Sequence, residues 1–237
     1  MLEPESITKR ATDILRNVYH YAFRQGQLEA IILAVLGRDV VVRMTTGQGK
    51  SLFYQIPPLL CQPSLCLIVS PLSALMHDQM EKLRQMNLHV QCFVSVQQIS
   101  QCSDADIKLS QYVYLSPECA VSSEWRSRLK NLELWDKVCL IAIDEAHCVV
   151  EWGDEFRVDF AKLSCLRELA SCPVMVLTAT ATKLTMSRIL SRTGIENPTF
   201  VKCPLNRKNM YYLATTKKTP TRHQLLQSSS LYSRRQK

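Results

Sequence analysis

The chain has 237 residues, 46% of them apolar and 21% charged. That is enough to bury one sizeable core, and it excludes disordered, collagenous and disulfide-stapled classes. The formal charge of +8 is concentrated at one end. Residues 202–237 carry nine Lys/Arg and no Asp/Glu, whereas 1–201 carry 20 basic against 21 acidic residues. A basic tail on a nearly neutral body suits either an anionic partner or plain solvation.

In chain order, short apolar runs fall at 40–42, 65–70, 112–116, 138–143 and 174–179. Each is continuous rather than alternating, the pattern of strands covered on both faces. Between them lie helical periods. Over 72–86, Leu72, Met76, Met80 and Leu83 share one face and His77, Asp78, Glu81, Lys82 and Arg84 the other. A second helix begins near Thr182 and stops at Gly194. Strands alternating with helices predict an α/β fold, a parallel sheet flanked by helices, with ligands at the carboxyl ends of the strands. Residues 215–237 are Ser-rich, basic and polar, the composition of a tail without fixed structure. The ten cysteines lie in apolar runs, none at C-x-x-C spacing, and no 18 apolar residues run together. Thiols acting as small hydrophobes in a soluble intracellular protein are therefore expected, with neither zinc site nor membrane span.

The chemistry is expected in the loops after those strands. Following VVV comes Thr45-Thr46-Gly47-Gln48-Gly49-Lys50-Ser51 and then a helix-compatible LFYQI. Glycines let backbone N–H groups turn toward phosphate oxygens, Lys50 reaches the β- and γ-phosphates, and Ser51 suits Mg²⁺. The strict G-x-x-x-x-G-K-[ST] pattern fails because residue 44 is Met, so a glycine turn with a solvated lysine is the competing reading. A second element runs from LIAI into Asp144-Glu145-Ala146-His147. Asp144 is placed to hold Mg²⁺, Glu145 to orient or deprotonate a water, and His147 to link the site to a moving part. Trp152, Phe156 and Phe160 interleaved with Arg157 offer stacking faces and a cation for single-stranded nucleic acid. They suit core positions beneath the strand equally well. Ser70-Pro71 and Ser116-Pro117 each follow a strand and read either as DNA-backbone contacts or as strand terminators.

These segments together resemble the first motor domain of the RecQ-family DNA helicases, in superfamily 2. The resemblance spans about Asp13 to Leu213 and rests on FRQGQ at 23–27, TTGQGKS at 45–51, VSPLSALMHDQM at 69–80, YLSPE at 114–118, DEAHCVVEWGDEFRVDF at 144–160, TATA at 178–181 and LNRKNMYY at 205–212. It implies a RecA-like P-loop fold over 13–214, with an extension at 1–12 and a tail at 215–237. It implies ATP and Mg²⁺ as cofactors and DNA, single-stranded and partly duplex, as partner. Gln27 would read adenine with Arg24 packing nearby, and the phosphate loop from Thr46 to Ser51 would hold the nucleotide. Thr178, Ala179 and Thr180, with His147, would couple hydrolysis to movement. Ser70, Pro71, Trp152, Phe156 and Arg157 would meet DNA, leaving Phe160 to the core. The implied activity is ATP-dependent 3′-to-5′ unwinding, with a nuclear location if the source is eukaryotic. Thr45 and Gln25 replace prolines common in the family. Asp154 and Glu155 stand where the family has His and Asp, and a carboxylate there is expected to weaken contact with phosphate. Family members also need a second RecA-like lobe that supplies an arginine finger, so this lobe alone is expected to hydrolyse ATP slowly and not to unwind. The competing reading is a non-catalytic nucleotide- or DNA-binding module.

Overall fold

The computed structural model describes residues 3–45, 47–61, 64–148 and 162–203. The chain divides into units at 1–205 and 206–237, and every described residue lies in the first.

Seven strands form one sheet: β1 (Val40–Arg43), β2 (Leu65–Val69), β3 (Val90–Phe93), β4 (Tyr112–Leu115), β5 (Val138–Ile143), β6 (Val174–Thr178) and β7 (Thr199–Lys202). Their order is β3-β4-β2-β5-β6-β1-β7, and every pair is parallel. The five strands expected from apolar runs are all central. The two that escaped, β3 and β7, are the edges. One face of an edge strand is only partly covered, so VQCF and TFVK mix apolar and polar residues and lack a continuous run.

Alternation along each strand divides the core into two layers. Val40 and Val42, Cys66 and Ile68, Tyr112 and Tyr114, Leu140 and Ala142 face one side. That side is covered by α1 (Pro4–Ile14), α2 (Gln27–Val35), α3 (Leu52–Gln55), α4 (Pro57–Leu60) and α5 (Ser73–Gln85). Val41, Leu67, Val113, Ile141 and Ile143 face the other. There the cover is α6 (Val96–Gln101), α7 (Asp104–Leu109), α8 (Pro117–Val121), α9 (Ser123–Asn131), α10 (Ser164–Leu169) and α11 (Lys183–Thr193). Strands enclosed on both sides must be apolar throughout, hence the continuous runs.

The predicted amphipathic helix is α5, with Met76 and Leu83 buried, Met80 packed against the core and Leu72 just before it as the cap residue. Helix α11 starts from the Thr182 hydroxyl, which accepts from the Thr185 N–H, and stops at Gly194 with φ +67°. Helix α1 runs through the boundary expected at residues 12 and 13, and its Ile7 and Ala11 are fully buried in the core. Each cysteine is buried or half-buried. No helix among the described residues is long and apolar enough to cross a membrane, and they contain no cluster of metal-ligating side chains.

Candidate nucleotide site

Sheet order decides which loops meet. Strand β6 lies between β5 and β1, with Ile143 opposite Val176 and Arg43 opposite Thr178. The phosphate-type loop after β1, the Asp-Glu-Ala-His segment after β5 and the threonines after β6 therefore emerge side by side, although about 95 residues separate the first from the second. Backbone bonds lock the three exits: Met44 N–H donates to Thr178 O (3.1 Å), Asp144 N–H to Val69 O (2.9 Å) and Ala146 N–H to Leu177 O (3.0 Å).

Within the loop, Gly47 and Gly49 have φ of +75° and +86°. A Cβ on Gly49 would lie 3.0 Å from Gln27 Nε2, so glycine there satisfies both the backbone and the packing. Among the described residues, no carbonyl accepts from the N–H groups of Gly47, Gln48, Gly49, Lys50 or Ser51. A run of unspent donors in turn geometry is a nest for an anion. The helix that follows is shorter than LFYQI suggests. Helix α3 ends at Gln55 and α4 restarts at Pro57, with Ile56 itself in helical geometry. Pro57 and Pro58 lack the N–H that would continue the first helix, yet each is tolerated in the first turn of the second.

Lys50 reaches across this space. Its Nζ pairs with Glu145 Oε1 and lies 4.0 Å from Asp144 Oδ1. The side chains of Lys50, Glu145 and Asp144 are only 9%, 8% and 15% exposed. Asp144 accepts from the Glu145 N–H at Oδ1 (2.9 Å) and from the Tyr54 hydroxyl at Oδ2 (3.4 Å). Burial pushes the Asp144 carboxyl above the usual carboxylate range, with Lys50 drawing it down and Glu145 pushing it further up. Glu145 has φ +46°, a left-handed conformation that costs a non-glycine residue about 1–3 kcal/mol. Its Oε2 is buried without a hydrogen bond, although His147 Nδ1 lies 3.3 Å away. His147 Nδ1 is also 3.4 Å from the Thr178 hydroxyl, which donates to Thr180 O (3.0 Å). Lysine, two carboxylates, imidazole and threonine thus form one chain of contacts across three strand ends.

The adenine-type segment is strapped to the same loop. Gln27, 1% exposed, accepts from Arg24 N–H at Oε1 (2.7 Å) and donates through Nε2 to Gln48 O (3.2 Å) and Gly49 O (3.1 Å). The Arg24 guanidinium donates to the Gln48 side chain. Arg24, Gln27, Gly47, Gln48, Gly49, Lys50, Ser51, Asp144, Glu145, His147, Thr178, Ala179 and Thr180 consequently occupy one end of the sheet. Ser70 follows the neighbouring strand β2, its N–H bonded to Leu115 O, and it is buried, with Pro71 half-buried beside it. Ser116 caps α8 by accepting from Cys119 N–H, so Ser116-Pro117 serves as a helix start. Thr46, Trp152, Asp154, Glu155, Phe156, Arg157 and Phe160 lie outside the described residues, as do 205–212 and the tail.

One residue with a contact at this site, Tyr54, went unnoticed in the sequence, as did the bonds of its neighbour Gln55. Tyr54 bonds Asp144, and Gln55 donates to Gln79 on α5 (3.0 Å) while its carbonyl accepts from the Tyr112 hydroxyl (2.6 Å). The available signal was helical spacing: Tyr54 lies four residues beyond Lys50, one turn along the same side.

The DEAD/DEAH box helicase family matches residues 24–188. The chain belongs to that family. Its relatives include the ATP-dependent DNA helicase RecQ of Haemophilus influenzae, 37% identical over 216 residues, covering 89% of this chain and 34% of that protein. The ATP-dependent helicase SGS1 of Saccharomyces cerevisiae is 38% identical over 199 residues, covering 80% and 14%. The chain spans about a third or less of the length of these relatives. Among solved structures, the DUF1998 helicase MrfA bound to DNA and AMPPNP aligns with TM-score 0.64 at 21% identity, covering 86% of this chain and 30% of that one. The helicase domain of Pyrococcus furiosus Hef aligns with TM-score 0.58 at 20% identity, covering 79% and 39%. At those identities the alignments show a shared RecA-like fold.

Proposed function

We propose that this chain is the nucleotide-binding motor lobe of a RecQ-type ATP-dependent DNA helicase that moves 3′ to 5′. The observation that carries the reading is the meeting of Lys50 with Glu145 and Asp144 beside His147 and Thr178. Relatives named as ATP-dependent DNA helicase RecQ support DNA as the partner, and for a eukaryotic source the proposed place of action is the nucleus.

The donor set fits the expected cofactors. The N–H groups from Gly47 to Ser51, which bond to no carbonyl of the described residues, and the Lys50 ammonium suit a polyphosphate, and Thr46 belongs to the same stretch of sequence. Hard oxygen donors from Ser51 and Asp144 suit Mg²⁺. Bound Mg²⁺ would neutralise charge on the β- and γ-phosphates. Lys50 exchanges Glu145 for phosphate oxygens when nucleotide enters, since both anions compete for one ammonium. Released, Glu145 becomes the acceptor that orients the attacking water and takes its proton. Its Oε2 already faces His147, so a change at Glu145 reaches Thr178, Ala179 and Thr180 through the imidazole. Gln27 and Arg24 hold the loop from the adenine side. Ser70, Pro71, Trp152, Phe156 and Arg157 are assigned to the DNA strand. An arginine from a second RecA-like lobe completes the site, and such a group adds about 10³–10⁵ in rate. This lobe alone is accordingly slow and does not unwind duplex.

The test is ATP hydrolysis by the purified chain with and without single-stranded DNA, beside Lys50→Ala. Slow, Lys50-dependent turnover that rises with DNA is the expected result. Turnover at background with nucleotide still bound would favour a non-catalytic binding module. No nucleotide binding at all would overturn the reading.

A further inference from the structure

A carboxylate that holds a divalent cation must present its oxygens in one orientation, and hydrogen bonds from outside the metal shell usually set it. At Asp144 the Oδ1 side is held by the Glu145 N–H and faces Lys50. Among the described residues, the Oδ2 side accepts from the Tyr54 hydroxyl at 3.4 Å. Tyr54 has little freedom. It is 2% exposed, it sits in α3 four residues after Lys50, and its ring stands edge-on against Tyr114 at 6.2 Å between centroids and 83° between planes. Tyr114 is itself buried in β4, two strands from β5 in the sheet order. The carboxylate is therefore gripped from both oxygens: by its own strand end through Glu145, and by the helix that leaves the phosphate loop through Tyr54.

We infer that Tyr54 is a positioning residue that orients the Asp144 carboxylate for Mg²⁺ and ties that orientation to the phosphate loop. The inference rests on the assignment of Asp144 to Mg²⁺ made above and goes beyond it by naming the group that aims Asp144. Tyr54 touches neither nucleotide nor metal in this role. It acts through one hydrogen bond, and its ring supplies only packing.

Tyr54→Phe keeps the ring and its edge-on contact and removes the bond. The decisive measurement is binding of Mn²⁺, followed by electron paramagnetic resonance, to the full 237-residue chain with ADP, alongside nucleotide binding in EDTA and the melting temperature. In Tyr54→Phe, Mn²⁺ affinity is expected to fall about tenfold, the low end for loss of such a supporting group. Nucleotide binding in EDTA and melting are expected to stay at wild-type values, which a purely structural tyrosine would not combine with weakened metal binding. Asp144→Asn is the control. If Asp144→Asn weakens Mn²⁺ binding while Tyr54→Phe binds it like wild type, the role of Tyr54 is overturned and that of Asp144 stands. If neither change affects Mn²⁺, the assignment of Asp144 to the metal falls, and the inference with it.

Discussion

The two ends of the sheet each hold a partly buried ion pair, and they treat it in opposite ways. At the amino-terminal end Asp39, just before β1, accepts through Oδ1 from Arg167 Nη1 (2.7 Å) and from the Val174 N–H (2.8 Å). Arg167 also donates to Cys172 O (3.0 Å), and the Asp39 carbonyl accepts from Thr199 N–H (2.8 Å). One residue thereby joins the starts of β1, β6 and β7 to α10. At the carboxyl-terminal end Asp144 is held above its ordinary pKa range by burial, Glu145 is in a left-handed conformation with a bonding-deficient oxygen, and Lys50 is paired with a carboxylate. The first end is satisfied and stabilises the fold. The second stores strain and unmet bonding capacity, the combination in which functional sites are enriched.

The contrast can be broken at either end. The largest effect is expected from Lys50→Ala, which removes the charge-assisted contact with phosphate. A loss of about 1.5–3 kcal/mol, roughly ten- to a hundredfold in nucleotide affinity, should appear in a fluorescent-nucleotide titration. Unchanged affinity would mean that the site does not use this lysine. Asp39→Ala should act on stability alone. Leaving the Val174 N–H without a partner costs about 1–3 kcal/mol by urea denaturation, with only a small share from the more exposed Arg167, and nucleotide affinity should remain at the wild-type value. A loss of affinity comparable to that of Lys50→Ala would erase the distinction between the two ends.

Asp144→Asn sharpens the comparison, because it should stabilise. An acid whose folded pKa is raised keeps its proton longer in the native state, so native stability falls as pH climbs from about 4, its unfolded pKa, through the folded one. Above that window the penalty is fully present. The asparagine variant should therefore melt higher at pH 7, and its advantage should vanish below about pH 4. A lower melting temperature at pH 7 would show that Lys50 outweighs burial. The smallest effect is expected from Glu145→Gln, which frees Lys50 from its competing anion. ATP affinity should rise a few-fold, on the order of the 1 kcal/mol of an ordinary hydrogen bond, while turnover falls. Weaker binding would contradict competition for the ammonium.

Much of this was legible in the residues, and the exceptions have physical causes. Continuous apolar runs report strands enclosed on both faces, so β1, β2, β4, β5 and β6 were readable, whereas the half-covered edges β3 and β7 were not. Lys50, Asp144 and Glu145 stood out because glycines before a lysine and acids after an apolar run are chemically specific. Tyr54 was invisible as a site residue, since in LFYQI it looks like an ordinary member of a packed helix. Gln27 was read as facing a ligand; in this structure its Nε2 donates to the phosphate loop and its Oε1 accepts from the Arg24 N–H.

By itself the sequence determined the α/β class, the central strands and the chemical identity of the groups at their tips. These follow from side-chain polarity, glycine's backbone freedom and local periodicity, all of which act within a few residues. Tertiary structure alone decided that β6 lies between β1 and β5, that Lys50 meets Glu145 and Asp144 across that gap, and that Tyr54 reaches the Asp144 carboxylate. Strand order depends on how the two apolar layers pack, a balance of contacts between residues far apart in the chain, and no local pattern encodes it.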